Sequence, residues 1–244
     1  MGLELHLDLL SPPCRTVYIF AKKNGIPFEF KEVELMKGDH MSEEFGKVNP
    51  VRKVPALKDG DFTLAESVAI LLYLARKYKV PDHWYPADLE KRAKVDEFMS
   101  WHITTLRQHT GKAFWLKTMA VALLGKPLPP EKIEAGLQEL HATLKQLEEL
   151  FLQDKPFVTG DKISLADLLS ICDIMQSFGG GHDVFEGRPK LAAWHQRVES
   201  EIGVELFTEA NRGIQNAKSF SEQKIPPEVA KRLMVRLQHH LGQH

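Results

Sequence analysis

Two spacing rules alternate within the first 78 residues, and their order limits the fold more than any other feature of the chain. Leu3, Leu5, Leu7 and Leu9 recur at every second position of LELHLDL, the mark of a strand with one buried face. The spacing becomes helical from Pro12 to Lys23, and Asn24-Gly25 supplies a stop. IPFEFKEVEL alternates again, with Phe28, Phe30 and Val33 as its apolar members. KVPALKDGDFTL then reads as a hairpin, VPAL and FTL joined by a turn at Asp59-Gly60, and AESVAILLYLARKYK closes the segment as an apolar-faced helix. A strand–helix–strand unit is parallel with a right-handed crossover, whereas a tight hairpin is antiparallel. The predicted product is a mixed four-stranded sheet with flanking helices.

Past residue 80 the strand spacing stops. VPDHWYP reads as a proline-rich linker, and it divides an α/β domain at 1–80 from an all-α domain at 86–244. In PEKIEAGLQELHATLKQLEELF, the residues Ile133, Leu137, Leu140, Leu144, Leu147 and Phe151 form a helical stripe. Ser164-x-x-Asp167 opens a further helix with a capping pattern. Five or more helices are expected here. SFGGGHD, lacking the strand-to-helix setting of a phosphate loop, reads as a flexible connection.

Composition narrows the function classes. With 32 basic and 33 acidic residues the net charge is −1, which offers no basic face to nucleic acid. Two cysteines cannot build a secreted disulfide framework, which points to a reducing, cytoplasmic compartment. MGLELHLD is expected not to be a secretory leader, and His6 stands where a myristoylation motif carries Ser or Thr. The apolar runs VAILLYLA and MAVALLG fall short of the ~20 residues that span a bilayer, so no membrane partner is expected. No metal motif is present, and His239, His240 and His244 read as tail residues rather than ligands.

The chemistry-bearing candidates cluster where strands meet helices. Ser11, in LSPPCR, ends the first strand and begins the first helix, with Pro12 suited to the first helical position. It is either a plain N-cap or a hydroxyl facing an anion, because free N–H groups and the helix dipole favour negative charge there. Cys14, one turn on, is either a small buried hydrophobe or a redox thiol. Val54-Pro55 enters a strand either at an edge or in the cis form; a cis proline leaves the preceding backbone free to pair with a peptide-like ligand. Glu66-Ser67 begins the next helix. On the plain reading Ser67 caps the helix and Glu66 is a solvated neighbour, but together the pair suits an α-amino acid group. His40, in a polar loop, can reach the Lys53–Pro55 region.

These pieces resemble the cytosolic glutathione transferases, and within them the theta class. The resemblance rests on MGLELHLDLLSPPCR, KVPALKDGDFTLAES, WYPADLEKRAKVDEF, ISLADLL and FEGRPKLAAW, and it spans nearly the whole chain. It implies a thioredoxin-like N-terminal domain that holds glutathione, a helical domain that supplies the electrophile pocket, and a homodimer. It further implies that Ser11 donates to the glutathione thiolate and that Val54 pairs its backbone with the tripeptide beside cis Pro55. Glu66 and Ser67 would then hold the γ-glutamyl end, while His40 and Lys53 attract the glycyl carboxylate. Thr104, Thr105 and Arg107 would face the second substrate, and Met234 and Arg236 would reach it from a C-terminal lid helix. The implied reaction is attack of glutathione on small electrophiles such as alkyl halides and epoxides, with hydroperoxide reduction alongside. Glutathione is then a co-substrate, and no resident cofactor is expected. The competing classes are a thiol–disulfide oxidoreductase using Cys14 and a non-catalytic glutathione-binding protein.

Overall fold

β1 (Leu3–Leu7), β2 (Glu29–Glu32), β3 (Ala56–Asp59) and β4 (Phe62–Ala65) form one sheet in the order β2-β1-β3-β4. The structure is a computed structural model that describes residues 2–215 and 225–242. β1 and β2 run parallel across the helix α1 (Pro12–Lys23), whereas the β1–β3 and β3–β4 pairs are antiparallel. This is the mixed sheet that the alternating spacing predicts. Leu3, Leu5 and Leu7 are buried and Glu4 and His6 half-buried, but Leu9 lies beyond the strand, in the turn to α1. β2 departs from expectation: Phe30 is 38% exposed. It lies on the edge strand, where Phe28 and Phe30 meet the Tyr18 ring edge-on at 6.1 and 5.9 Å. In the hairpin Asp59 faces Phe62, and Gly60 takes φ +65° in the two-residue turn, a conformation that costs glycine nothing.

The small helix α2 (Glu43–Val48) begins at Ser42, whose hydroxyl accepts from the Phe45 N–H at 3.1 Å. α3 (Ser67–Lys77) packs on β3 and β4. Beyond it, α4 (Leu89–Trp101), α5 (Arg107–Phe114) and α6 (Ala120–Leu124) are joined through π-helical turns at His102–Leu106 and Trp115–Met119 into one helical run. Such turns widen a helix locally and re-aim its side chains, often at functional sites.

Next come α7 (Pro130–Gln146), α8 (Leu165–Gly179), α9 (Pro189–Ile202), α10 (Val204–Gln215) and α11 (Pro227–His240). The stripe on α7 behaves as its spacing requires, with Leu140, Leu144 and Leu147 fully buried. α8 is the centre of the helical domain, since every residue from Leu165 to Ser177 is buried. Its start carries the expected capping box. The Ser164 hydroxyl accepts from the Ala166 N–H at 3.2 Å, and Asp167 accepts from the Ser164 N–H at 2.9 Å. The other Asp167 oxygen accepts from the Val158 N–H at 2.8 Å and the Trp194 indole at 2.9 Å.

The Gly179–Gly181 segment corrects the sequence reading. Rather than a loose connection, it is pinned by Lys117 and Thr118, which donate to the Gly181 and Gly180 carbonyls at 2.7 and 3.3 Å. A Cβ on Gly179 would stand 2.7 Å from the Ile214 carbonyl oxygen, so glycine serves close approach here. α1 packs on α8 and α10 as well as on α3, so the sheet domain and the helical domain share one core along it. That placement puts the first residue before α1 at the junction of the two domains.

Candidate active site

Three of the expected site segments meet at one end of the sheet because of its register. Ala56, at the start of β3, lies opposite His6 near the end of β1 and opposite Ala65 at the end of β4. The turn that carries Ser11, the Val54-Pro55 peptide and the Glu66-Ser67 start of α3 therefore gather at the same edge.

Ser11 occupies the N-cap position of α1, yet its hydroxyl makes no capping bond. Its backbone does the local work: its N–H donates to the Asp8 carbonyl at 2.9 Å, and its carbonyl accepts from Cys14 and Arg15 at 3.0 and 3.1 Å. The plain N-cap reading thus fails for the side chain. Cys14 is fully buried, and burial pushes its thiol up to about 12, outweighing hydrogen bonds from the Asp8 backbone and the Ser11 hydroxyl. A thiol in that state is protonated and out of reach, which removes the oxidoreductase reading.

The Val54–Pro55 peptide is cis. Among the described residues, neither the N–H nor the C=O of Val54 is paired with another backbone group. The loop before it is held by Asn49, 2% exposed, whose amide donates to the Lys53 carbonyl at 2.7 Å. Arg52 ties this loop to the one carrying His40, donating to the Met41 carbonyl and, at 3.0 Å, to the Ser42 carbonyl. The Lys53 side chain is exposed. His40 is half-buried, with its Nδ1 buried and unpartnered among the described residues, and burial followed by repulsion from Arg232 lowers its pKa.

At α3 the sequence reading misassigned the cap. Glu66, not Ser67, is the N-cap residue, at φ +67°, and Ser67 is the first helical residue and 4% exposed. Holding a non-glycine residue at positive φ costs of order 1–3 kcal/mol, a strain concentrated at functional sites. The N–H groups of the first turn, from Ser67 to Ala69, have no intrahelical acceptor. They adjoin Glu66, which is exposed.

On the helical side, Arg107 is held rather than free. Its Nε donates to Asp173 at 3.1 Å, and His102 reaches the same carboxylate oxygen at 2.5 Å. Asp173 is buried; burial alone would raise its pKa, but Arg107 and His102 outweigh that and hold it below the usual carboxylate range. The Arg107 Nη2 is buried and has no partner among the described residues. Thr104 and Thr105 lie in the first π-helical turn; Thr104 is exposed and its hydroxyl bonds back to the Ser100 and Trp101 carbonyls at 3.3 Å.

Met234 and Arg236 sit on α11, which packs over the second π-helical turn. Arg236 stacks on the Trp115 ring at 5.0 Å, and Met234 joins an apolar cluster with Phe114, Trp115, Leu10 and Met36. Leu10, Met36 and Trp115 are members that the sequence reading missed; Leu10 is the neighbour of Ser11, a signal that was available. His240 stacks on Trp115 at 5.5 Å, while His244 lies outside the described residues.

A thioredoxin-like sheet whose first helix begins at a hydroxyl that makes no capping bond, sharing a core with a helical domain along that helix, defines a two-domain thioredoxin-like protein. Residues 5–82 match the family model described as Glutathione S-transferase, N-terminal domain, and residues 114–201 match its C-terminal domain. Human glutathione S-transferase theta-1 is 58% identical over 96% of this chain and 97% of its own. The solved apo form of human glutathione-S-transferase T1-1 superposes with a TM-score of 0.93 at 57% identity, covering 98% of this chain and 100% of that one. A human theta-class transferase in complex with the glutathione conjugate of 1-menaphthyl sulfate gives a TM-score of 0.91 at 46% identity, covering 97% of this chain and 98% of that one. The chain belongs to the glutathione S-transferases, in the theta class, and is a glutathione-conjugating enzyme.

Proposed function

We propose that Ser11 is the catalytic hydrogen-bond donor and that it holds glutathione as the thiolate for attack on small electrophiles. The observation that carries this is a hydroxyl at the first turn of α1 that caps nothing, at the sheet end where Val54 and the start of α3 also converge. A thiol with a free pKa near ~8.5 is only a few per cent ionised at neutral pH. A charge-assisted hydrogen bond contributes roughly 1.5–3 kcal/mol and a helix N-terminus about 0.3–1 kcal/mol. At about 1.4 kcal/mol per pKa unit, the bound thiol falls by one to three units, which raises the ionised share at neutral pH from a few per cent to between about a quarter and nearly all of it. No general base is needed.

In this reading the backbone of Val54, beside Pro55, pairs with the cysteinyl part of glutathione. The open N–H groups at Ser67 and the Glu66 carboxylate take the γ-glutamyl carboxylate and ammonium. His40 and Lys53 attract the glycyl carboxylate. The second substrate lies against Met234 and the Leu10–Met36–Trp115 cluster, with Thr104, Thr105 and Arg236 at its margins. The spare Arg107 Nη2 steadies a departing anion. The electrophiles are alkyl halides and epoxides, with hydroperoxides reduced alongside, and glutathione is a co-substrate with no resident cofactor.

The active unit is a homodimer in the cytoplasm. β4 and α3 carry an open groove of about 540 Å³ lined by Leu64, Ala69, Leu72, Tyr73, Arg76 and Lys77, with Phe62 exposed nearby, and a second copy suits that face. Both cysteines are free thiols, in keeping with a reducing compartment. Ser11→Ala loses most of its turnover across an alkyl halide and epoxide panel while still binding glutathione as the neutral thiol. An unchanged kcat would contradict the donor role.

A further inference from the structure

A buried charge holds the turn that leads into Ser11. Arg15 is fully buried, and its guanidinium forms four hydrogen bonds, all to neutral acceptors. One nitrogen donates to the Leu9 and Leu10 carbonyls at 2.9 and 3.2 Å, and the other donates to the Cys172 carbonyl and the Gln176 amide oxygen at 2.8 and 2.7 Å. Its Nε has no partner among the described residues. A guanidinium taken out of water without a counter-charge is costly, so such groups are normally paired.

None of the ionisable groups around Arg15 serves as that partner. They are Asp8 from the end of β1, Cys14 from its own helix, and Cys172 and Asp173 from α8. Both cysteines are buried thiols pushed up to about 12 and about 11 by burial. Asp173 is taken by Arg107 and His102. Asp8 accepts the Leu10 and Leu35 N–H groups at 2.9 and 2.8 Å. No ion pair to Arg15 forms among the described residues. The guanidinium therefore brings an uncompensated positive charge to the turn that presents the Ser11 hydroxyl. It also grips that turn by its two preceding carbonyls and anchors it to the central helix of the other domain.

We propose that Arg15 is a positioning residue for Ser11, fixing the Leu9–Leu10 turn and lending its unpaired charge to the thiolate held there. This rests on the reading of Ser11 as the thiolate donor. Two substitutions separate its two contributions. Arg15→Lys keeps the charge but loses the planar fork that spans both domains. Gln176→Glu is nearly isosteric and places a carboxylate where the amide oxygen stands, 2.7 Å from the guanidinium, so it neutralises the charge with the fork intact.

The test is the ultraviolet absorbance of enzyme-bound glutathione thiolate against pH in wild type, Ser11→Ala, Arg15→Lys and Gln176→Glu. The account expects each of the two Arg15-directed variants to raise the bound thiol pKa by about one unit, roughly tenfold less thiolate at a fixed pH below it. Should Arg15→Lys fail to fold, Gln176→Glu carries the test alone. A purely structural Arg15 lowers the melting temperature and leaves the titration in place. Wild-type titration in both variants, with Ser11→Ala shifted, overturns the role of Arg15 and leaves Ser11 standing. If Ser11→Ala also titrates as wild type, the donor reading fails and the Arg15 proposal falls with it.

Discussion

Gly38→Ala should loosen α11 from the loop that carries His40, and the structure gives the size of the effect. Gly38 sits at φ +87°, and a Cβ built there stands 2.7 Å from Val229 Cγ2 and 3.2 Å from Met41 Cε. An L-residue in the left-handed region costs about 1–2 kcal/mol. Val229 is 3% exposed, so its methyl cannot swing into water, and forcing the overlap costs about another 1–3 kcal/mol. The nearest relief is a shift of the first turn of α11, which also moves Arg232 away from His40. Since each 1.4 kcal/mol is a factor of ten, amide exchange in α11 and in residues 34–42 should accelerate at least tenfold. The glutathione KM should rise with it. Adding Val229→Ala removes the overlap but not the backbone strain, so a double-mutant cycle should return about 1–3 kcal/mol of favourable coupling. Unchanged α11 exchange in Gly38→Ala, or no coupling to Val229→Ala, would refute the reasoning.

Other perturbations test other parts of the account. Asp167→Ala leaves the Val158 and Ser164 N–H groups and the Trp194 indole buried without their acceptor, and should cost roughly 3–5 kcal/mol, seen as a fall of about 10 °C in Tm. Native Cys14 should resist iodoacetamide and react only at the rate of unfolding, as mass spectrometry of the labelled peptide would report. His240 is pushed down to about 4 by burial, with Arg236, His239 and Lys112 adding repulsion. The docked helix therefore prefers the neutral ring: docking is full above the free value near 6.5 and weakens as pH falls from there towards 4. Allowing for partial exposure, about 1 kcal/mol is lost near pH ~5.5, and α11 exchange should rise there in wild type but not in His240→Gln.

Much of the fold was legible because local spacing decided it. Leu3, Leu5 and Leu7 alternate, the α7 stripe repeats every three or four residues, and Ser164 and Asp167 form the box their spacing suggests. The misreadings arose where a neighbour distant in sequence sets the outcome. Phe30 alternates like a core residue but lies on an edge strand. Gly179–Gly181 reads as loose until Ile214 and Lys117 close on it. The π-helical turns at His102–Leu106 and Trp115–Met119 contain no proline or glycine, so HITTL and WLKTM give no local sign of them.

The candidate site divides in the same way. Ser11, Val54 and Glu66 stand at strand–helix junctions that the pattern locates, whereas the partners of Arg107 lie up to 66 residues away in Asp173. Arg15 was missed although α1 held the clue. Val17 through Ala21 are buried on every side of the helix, so a charged residue just before them had to be buried too.

The central claim is that the site around Ser11 prefers a thiolate, and the most direct measurement is the affinity for glutathione against pH, set beside S-methylglutathione, by titration calorimetry. If the bound thiol lies one to three units below its free value, glutathione binding tightens by about 10- to 1000-fold as pH rises between the two values. S-methylglutathione, which has no proton to lose at sulfur, should bind equally across that range, and Ser11→Ala should flatten the glutathione curve. Parallel curves for the two ligands in wild type would contradict the account.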